Sequence, residues 1–180
     1  MIVGKKVDLV ALDTKYIDHY IRWINDPEVT DLLGDARAPY SKAREREWIE
    51  SVLSSHGDGR VFTILSKKKE PIGTISFNHL DFRNGHGVLG IMIGEKWLWD
   101  KGYGSDAIKT LLRFGFEELG LRKIELYLNP ENSRAHACYK KCGFVDEGSK
   151  REHMFYNGRY VDDLQMGILR DEWLKLEKKD

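Results

Sequence analysis

Two short segments of this chain carry residue types whose spacing could do chemistry. The first, Trp99-Asp100-Lys101-Gly102-Tyr103-Gly104-Ser105, is a glycine turn that opens a helix. A helix start offers unpartnered backbone N–H groups and the positive end of the helix dipole, which suit a phosphate or diphosphate. The second runs Asn129-Pro130-Glu131-Asn132-Ser133-Arg134-Ala135-His136-Ala137-Cys138-Tyr139-Lys140-Lys141-Cys142-Gly143-Phe144. In it Asn132 and Tyr139 stand seven residues apart, about two helical turns, so an amide and a phenol share one helix face. A diphosphate cradle followed by a positioned phenol is what an enzyme using coenzyme A needs.

The elements that must position these groups follow from periodicity. Val7 to Leu12 alternates as a first strand, and Asp13 or Thr14 caps a helix with Tyr16, Ile17, Tyr20, Ile21 and Ile24 on its apolar face. Asn25-Asp26-Pro27 ends it, and Glu28 to Tyr40 reads as a connection suited to meeting a substrate. A second helix from Ser41 carries Trp48, Ile49, Val52 and Leu53. Arg60 to Ser66, Pro71 to Leu80 and Gly87 to Ile93 are short apolar runs divided by turn residues, an antiparallel meander. The glycine turn then starts a helix striped by Ala107, Ile108, Leu111, Leu112, Phe114 and Leu119, with Gly120 as its stop. Lys123 to Leu128 is a strand, Ser133 to Lys141 a helix, and Phe144 to His153 and Tyr160 to Leu169 are closing strands around an Asn157-Gly158 turn. The order is mixed α+β with one β–α–β crossover at the glycine turn, in a single domain over 1–180 whose last residues, about 171–180, form a helical tail.

Composition narrows the function classes. Basic and acidic residues balance at 29 each, with a pI near 7.0, so nothing favours a nucleic-acid or membrane surface. No apolar run approaches the length of a membrane helix, no signal-peptide pattern opens the chain, and the two cysteines, Cys138 and Cys142, sit poorly for a disulfide. These features predict a cytoplasmic protein with reduced thiols. His136, Cys138, Cys142 and His153 are zinc-competent types, but their spacing does not make a paired-cysteine knuckle, and no metal is expected.

Gly102-Tyr103-Gly104-Ser105-Asp106-Ala107 also fits the Gly-x-Gly-x-x-Ala fingerprint of dinucleotide folds, with Glu125 about twenty residues on. Two observations argue against that reading. The glycines there follow the strand directly, whereas Gly94 to Lys101 intervene here, and a meander precedes the unit instead of parallel crossovers.

With Asn132, Ala135, Tyr139, Lys141, Gly143 and Phe144 in one pattern and Gly102 and Gly104 in another, the chain resembles the GNAT superfamily of N-acetyltransferases. The superfamily's turn reads Gln/Arg-x-x-Gly-x-Gly/Ala and its later helix Asn-x-x-Ala-x-x-x-Tyr-x-Lys-x-Gly-Phe. The resemblance is strongest to the branches that acetylate ribosomal-protein N-termini and bacterial polyamines. One position departs: Trp99 stands where the turn has Gln or Arg. The resemblance implies a mostly antiparallel sheet of about six or seven strands flanked by about four helices. It implies that acetyl-CoA is held by the diphosphate on N–H groups around Asp100, Lys101, Gly102, Tyr103, Gly104 and Ser105. The pantetheine arm would lie along Ile91, Met92 and Ile93, with Asn132 on an arm amide, Lys141 nearby, and Tyr139 protonating the departing thiolate. The acceptor would be a primary amine, either a protein N-terminus or a polyamine. An aminosugar, or a sensor that binds coenzyme A without turnover, are the alternatives. A homodimer is common among such proteins.

No general base is legible. The family's strand carboxylate has its place at Leu89, and Glu125, Asp81, His79 and Glu28 qualify by chemistry alone. Asp26, Glu28, Asp31 and Asp35 form an acidic stretch that would attract a cationic amine. Gly104→Val tests the turn: acetyl-CoA binding by calorimetry should weaken at least about tenfold, and unaltered binding would make the turn ordinary packing.

Overall fold

The computed structural model describes residues 1–33, 38–54 and 60–178. Strands β1 (Ile2–Val3) and β2 (Val7–Ala11) lead into helices α1 (Ile17–Ile24), α2 (Pro27–Thr30) and α3 (Lys42–Ser54). Then come β3 (Arg60–Ser66), β4 (Pro71–Asp81), β5 (His86–Ile93), α4 (Tyr103–Arg113), β6 (Lys123–Leu128) and α5 (Ser133–Lys141). Strands β7 (Val145–Tyr156) and β8 (Arg159–Leu169) and helix α6 (Arg170–Glu177) close the chain. The strands form one sheet in the order β1-β2-β3-β4-β5-β6-β8-β7. Among the described residues only β5 and β6 are parallel neighbours, as the crossover through α4 requires.

That parallel contact is short. β5 and β6 pair at His86, Gly87 and Val88 with Lys123, Ile124 and Glu125, and then diverge. Leu89 to Ile93 stay paired with β4, and Leu126 to Leu128 stay paired with β8. A bulge in β4 between Phe77 and His79, opposite Val88 and Leu89, lies at the level of the divergence. A bulge adds local twist, so it turns the β1–β5 half of the sheet away from the β6–β8 half.

Each face of the sheet has its own core. On one side α4 buries Ala107, Ile108, Leu111 and Leu112 against Ile75, Phe77, Ile124, Leu126 and Met166. On the other, α1 and α3 build a smaller cluster of Ile17, Tyr20, Trp23 and Ile49, joined by Met92 of β5. The alternation along β6 follows: Ile124, Leu126 and Leu128 enter the α4-side core, which leaves Glu125 and Tyr127 to the opposite face.

Most expected elements stand where the periodicity places them, and the differences have local causes. An eighth strand, β1, pairs Ile2 with Leu9 at the sheet edge, too short to leave a period in the sequence. The connection after α1 contains α2, because the Asp26 carboxylate accepts from Glu28 N–H at 3.0 Å and Pro27 sits at the first helical position. In α3 only Glu45 and Ile49 are buried and Trp48 remains 42 % exposed, since a cavity lies beneath this helix. Beyond Arg113 the helix widens into a π-turn over Phe114–Glu118 before Gly120, at φ 67°, stops it. Among the described residues no helix is long and apolar enough to cross a membrane.

Asp106 fastens the sheet edge to α4. Its carboxylate accepts backbone N–H groups of Lys5, Lys6 and Val7 at 3.3, 2.7 and 3.0 Å. Asp106→Ala strands these donors and should lower stability by about 1–3 kcal/mol in urea unfolding. An unchanged midpoint would contradict that role.

Candidate active site

The glycine turn has the geometry its sequence implies. Asp100 and Gly102 both take left-handed backbone conformations, at φ 59° and 81°. The first bond within α4 runs from Asp106 N–H to the Gly102 carbonyl, so the N–H groups of Tyr103, Gly104 and Ser105 have no acceptor inside the helix. Gly102 needs glycine for its φ, but Gly104 does not: a Cβ there would meet only Ile93 at 3.6 Å and Cys138 at 4.0 Å, ordinary contacts. Nothing in the folded chain requires glycine at 104. The space lies in the slot between β5 and α5, where an extended ligand arm could pass.

Cations gather at this turn from distant sequence. Lys6 Nζ donates to the Lys101 carbonyl at 2.8 Å and lies 5.7 Å from the Tyr103 ring centre. The Arg134 guanidinium stacks 3.7 Å from the Trp99 ring, and Trp99 Nε1 donates to the Ile93 carbonyl at 2.8 Å. Trp99 thus ties the turn to the end of β5, and Arg134, from α5, supplies positive charge beside the position where the family's turn has Gln or Arg. Sequence reasoning singled out neither Lys6 nor Arg134, because both reach the turn only through the fold.

The divergence of β5 and β6 opens a cavity of about 640 Å³, lined among others by Glu45, Trp48, Gly90, Tyr127, Tyr139 and Asp163. A second cleft of about 610 Å³ adjoins Trp99, Ser133 and Arg134, and Asn132 lines both. Ile91, Met92 and Ile93 bond to β4 on one edge and present their other edge to the gap. Asn132 caps α5, its Oδ1 accepting from Ala135 N–H at 3.1 Å, so its Nδ2 is the atom left for a ligand. Tyr139 is 8 % exposed and reaches the first cavity. Burial, reinforced by Cys138 and Cys142, pushes its phenol well above the ordinary tyrosine range, so it enters any reaction protonated. Lys141 is exposed near the end of α5 and lines neither cavity. Ser105 Oγ lies 3.2 Å from Cys138 Sγ, which fastens α4 to α5.

The acidic groups sort into two sets. Lys96 pairs with Asp26 at 2.8 Å and with Glu28, and Asp31 accepts from Tyr156 at 2.7 Å, so these three carboxylates already have partners; Asp35 lies outside the described residues. Glu45 and Asp163 differ. They are 4 % and 7 % exposed, line the larger cavity, and have no hydrogen-bond or ion-pair partner for their carboxylates among the described residues. Burial pushes both carboxyls up, alone at Glu45 and at Asp163 against the opposing charges of Lys150 and His153. The alternation of β8 held a signal for Asp163, which shares its inward phase with buried Val161. Glu45, in a charge-rich helix, carried none.

Of the possible bases, Asp81 is spent in a turn with Asn84 at 3.0 Å, and His79 is exposed. Leu89 borders the larger cavity but packs its apolar side chain in the α4-side core and offers no carboxylate. Glu125 is buried and fully engaged: Tyr127 Oη donates to it at 2.7 Å, Gln165 Nε2 at 3.0 Å, and His86 Nε2 stands 2.9 Å away. Burial opposes its ionisation, but the bonds from Tyr127 and His86 outweigh that and hold it below the usual glutamate range. The zinc-competent residues do not converge. His136 faces Asp146 at 2.8 Å, and no group of three such side chains forms a metal site among the described residues.

Comparison with known proteins agrees with this geometry. The family model of the acetyltransferase (GNAT) domain matches residues 6–145. An uncharacterized N-acetyltransferase, p20, of Bacillus licheniformis is 30% identical over 171 residues, covering 94% of this chain and 96% of that protein. Spermidine N(1)-acetyltransferase of Vibrio cholerae is 31% identical over 136 residues, 76% of this chain and 78% of that one. The crystal structure of spermidine N-acetyltransferase from Vibrio cholerae in complex with CoA and spermine superposes with a TM-score of 0.86 at 26% identity, over 94% of this chain and 98% of that one. The chain belongs to the GNAT family of acetyl-CoA-dependent N-acetyltransferases.

Proposed function

We propose that this acetyltransferase moves the acetyl group of acetyl-CoA to a primary amine of a polyamine, by direct attack in a ternary complex. The observation that carries the reading is the pair of buried, unpartnered carboxylates, Glu45 and Asp163, in the cavity that Tyr139 also reaches. A buried ionised carboxylate without a hydrogen-bond partner is costly, for Asp163 even with Lys150 and His153 near enough to offset part of the cost, and a cation entering the cavity reduces it. Two such groups fit a ligand with more than one ammonium better than a peptide N-terminus, which brings one. The Vibrio cholerae neighbour, whose complex holds CoA and spermine, supports the same class of acceptor.

In this reading the N–H groups from Lys101 to Ser105 hold the diphosphate, with Lys6 and Arg134 adding charge. The pantetheine arm adds to the open edge of Ile91–Ile93, and Asn132 Nδ2 donates to an arm carbonyl. The amine attacks the thioester carbon, strand N–H groups stabilise the oxyanion, and Tyr139 gives its proton to the departing thiolate.

Thiol release from acetyl-CoA, assayed across polyamines, peptides and aminoglycosides, tests this. Polyamines should give the highest kcat/KM, and absence of release with every amine would leave only a coenzyme A binding role. Tyr139→Phe should lower kcat about 100-fold while acetyl-CoA affinity holds; equal turnover would remove Tyr139 from the mechanism.

The carboxylates make a second, opposed pair of expectations. Their raised pKa values mean that the folded state disfavours their ionisation, so they cost stability once pH rises through the carboxylate range and cost none when protonated in both states. Glu45→Gln with Asp163→Asn should therefore raise Tm by about 2–4 °C at pH 8, a gain that vanishes near pH 4. The same variant should raise KM for spermidine at least about tenfold. A lower Tm at pH 8 with unchanged KM would contradict the assignment.

A further inference from the structure

A primary amine arrives as an ammonium, with about one molecule in a thousand unprotonated at pH 7 for a pKa near 10. Glu45 and Asp163 serve as counter-charges, Tyr139 must keep its proton for the thiolate, and Leu89 offers no carboxylate. A second polar group borders the cavity. Tyr127 lines it, and Tyr127 Oη donates to Glu125 Oε1 at 2.7 Å. Glu125 Oε2 lies 2.9 Å from His86 Nε2, and the His86 side chain is 24% exposed. Three strands thus build one connected path from the cavity wall to solvent: Tyr127 and Glu125 on β6, His86 on β5, and Gln165 of β8 bracing the carboxylate at 3.0 Å. It runs along the paired stretch of β5 and β6, from His86 at its first position to Glu125 at its last, with Tyr127 just beyond, in the gap.

Resting on the acceptor reading above, we propose that Tyr127 and Glu125 are the base relay that deprotonates the incoming amine, with the edge at His86 as the exit to water. The ammonium N–H bond breaks as its proton passes to Tyr127 Oη, while the hydrogen already on Oη passes to Glu125 Oε1. Tyr127 is neutral before and after. The neutral carboxyl turns about its Cγ–Cδ bond toward the partly exposed edge at His86 and gives its proton to water there, which restores the carboxylate that His86 Nε2–H holds by donating to Oε2. The freed nitrogen lone pair attacks the thioester carbon, the C–S bond breaks, the sulfur takes the Tyr139 proton, and the second proton lost from nitrogen restores Tyr139. Of the two protons the ammonium gives up, one ends on the thiol and one in solvent.

The surroundings suit each group. Tyr127 and His86 hold Glu125 ionised, so it is unprotonated at rest and its protonated form is passed through and not stored, and burial together with Glu125 pushes Tyr127 up to about 12, so it relays a proton instead of standing as a phenolate. The other charges facing the pair are Lys123, 3.7 Å from Glu125 and 2.6 Å from Glu147 of β7, Lys150, whose Nζ lies 4.0 Å from the Tyr127 ring centre, and Asp163 across on β8. Tyr127 is the group that meets substrate; Glu125 and His86 act through it.

Single-turnover acetyl transfer to spermidine at pH 7 and pH 9.5 tests the relay in Tyr127→Phe and Glu125→Gln, with acetyl-CoA affinity measured by calorimetry. At pH 7 each variant should fall about 100-fold, and the double variant no further. At pH 9.5, where free amine is abundant, the deficit should shrink at least about tenfold, with acetyl-CoA affinity unchanged throughout. Wild-type rates in Tyr127→Phe at pH 7, or a loss equal at both pH values, would overturn the relay. Tyr127→Phe removes one oxygen and decides the matter if Glu125→Gln does not fold. A wild-type protein that acetylates no amine would overturn the acceptor reading and the relay together, whereas an active wild type with unaffected variants overturns the relay alone.

Discussion

The structure depends on the parting of two parallel strands. β5 and β6 share three paired positions and then separate, beside a bulge in β4. Strand edges left unpaired inside a protein carry unsatisfied N–H and C=O groups, which is costly unless something supplies partners. The gap between Ile91–Ile93 and Leu126–Leu128 leaves strand edges open to an extended chain with amides of its own, which is the place the proposed mechanism gives to the pantetheine arm. The glycine turn stands at one end of that gap, tied to Ile93 through Trp99, and Tyr139 reaches the cavity at its other side.

Charge divides the molecule around that gap. Lys6, Lys101 and Arg134 surround the turn, where a diphosphate would lie. Glu45 and Asp163 lie in the cavity beneath α3, where an ammonium would lie. The positive and negative groups belong to different elements, Arg134 to α5, Glu45 to α3 and Asp163 to β8. The acidic stretch before α3 plays a smaller part, because Lys96 and Tyr156 already satisfy Asp26, Glu28 and Asp31.

How much of this was legible in the sequence follows the range of the interactions. β6 and α5 begin and end where their patterns place them, since a six-residue alternating run and an Asn cap before a two-turn helix are local signals. The glycine turn's shape and the place of Tyr139 on α5 were legible for the same reason. α2 was hidden because four residues show no period, although its Asp-Pro start is visible once known. The stripe of α3 misled because Trp48 faces a cavity and not a core. Glu45, Asp163, Lys6 and Arg134 owe their places at the site to partners or surroundings brought close by the sheet, and no spacing rule announces them. Glu125 is intermediate: its chemistry was visible, but its bond to Tyr127 and its contact with His86 from a neighbouring strand were not.

The most direct test of the central claim is a crystal structure with coenzyme A. The account predicts the pantetheine arm between β5 and β6, hydrogen-bonded to the open edge of Ile91–Ile93, its diphosphate on the N–H groups from Lys101 to Ser105 and its sulfur beside the Tyr139 hydroxyl. Coenzyme A bound outside that gap, or threaded through it with the sulfur turned away from Tyr139, would contradict it.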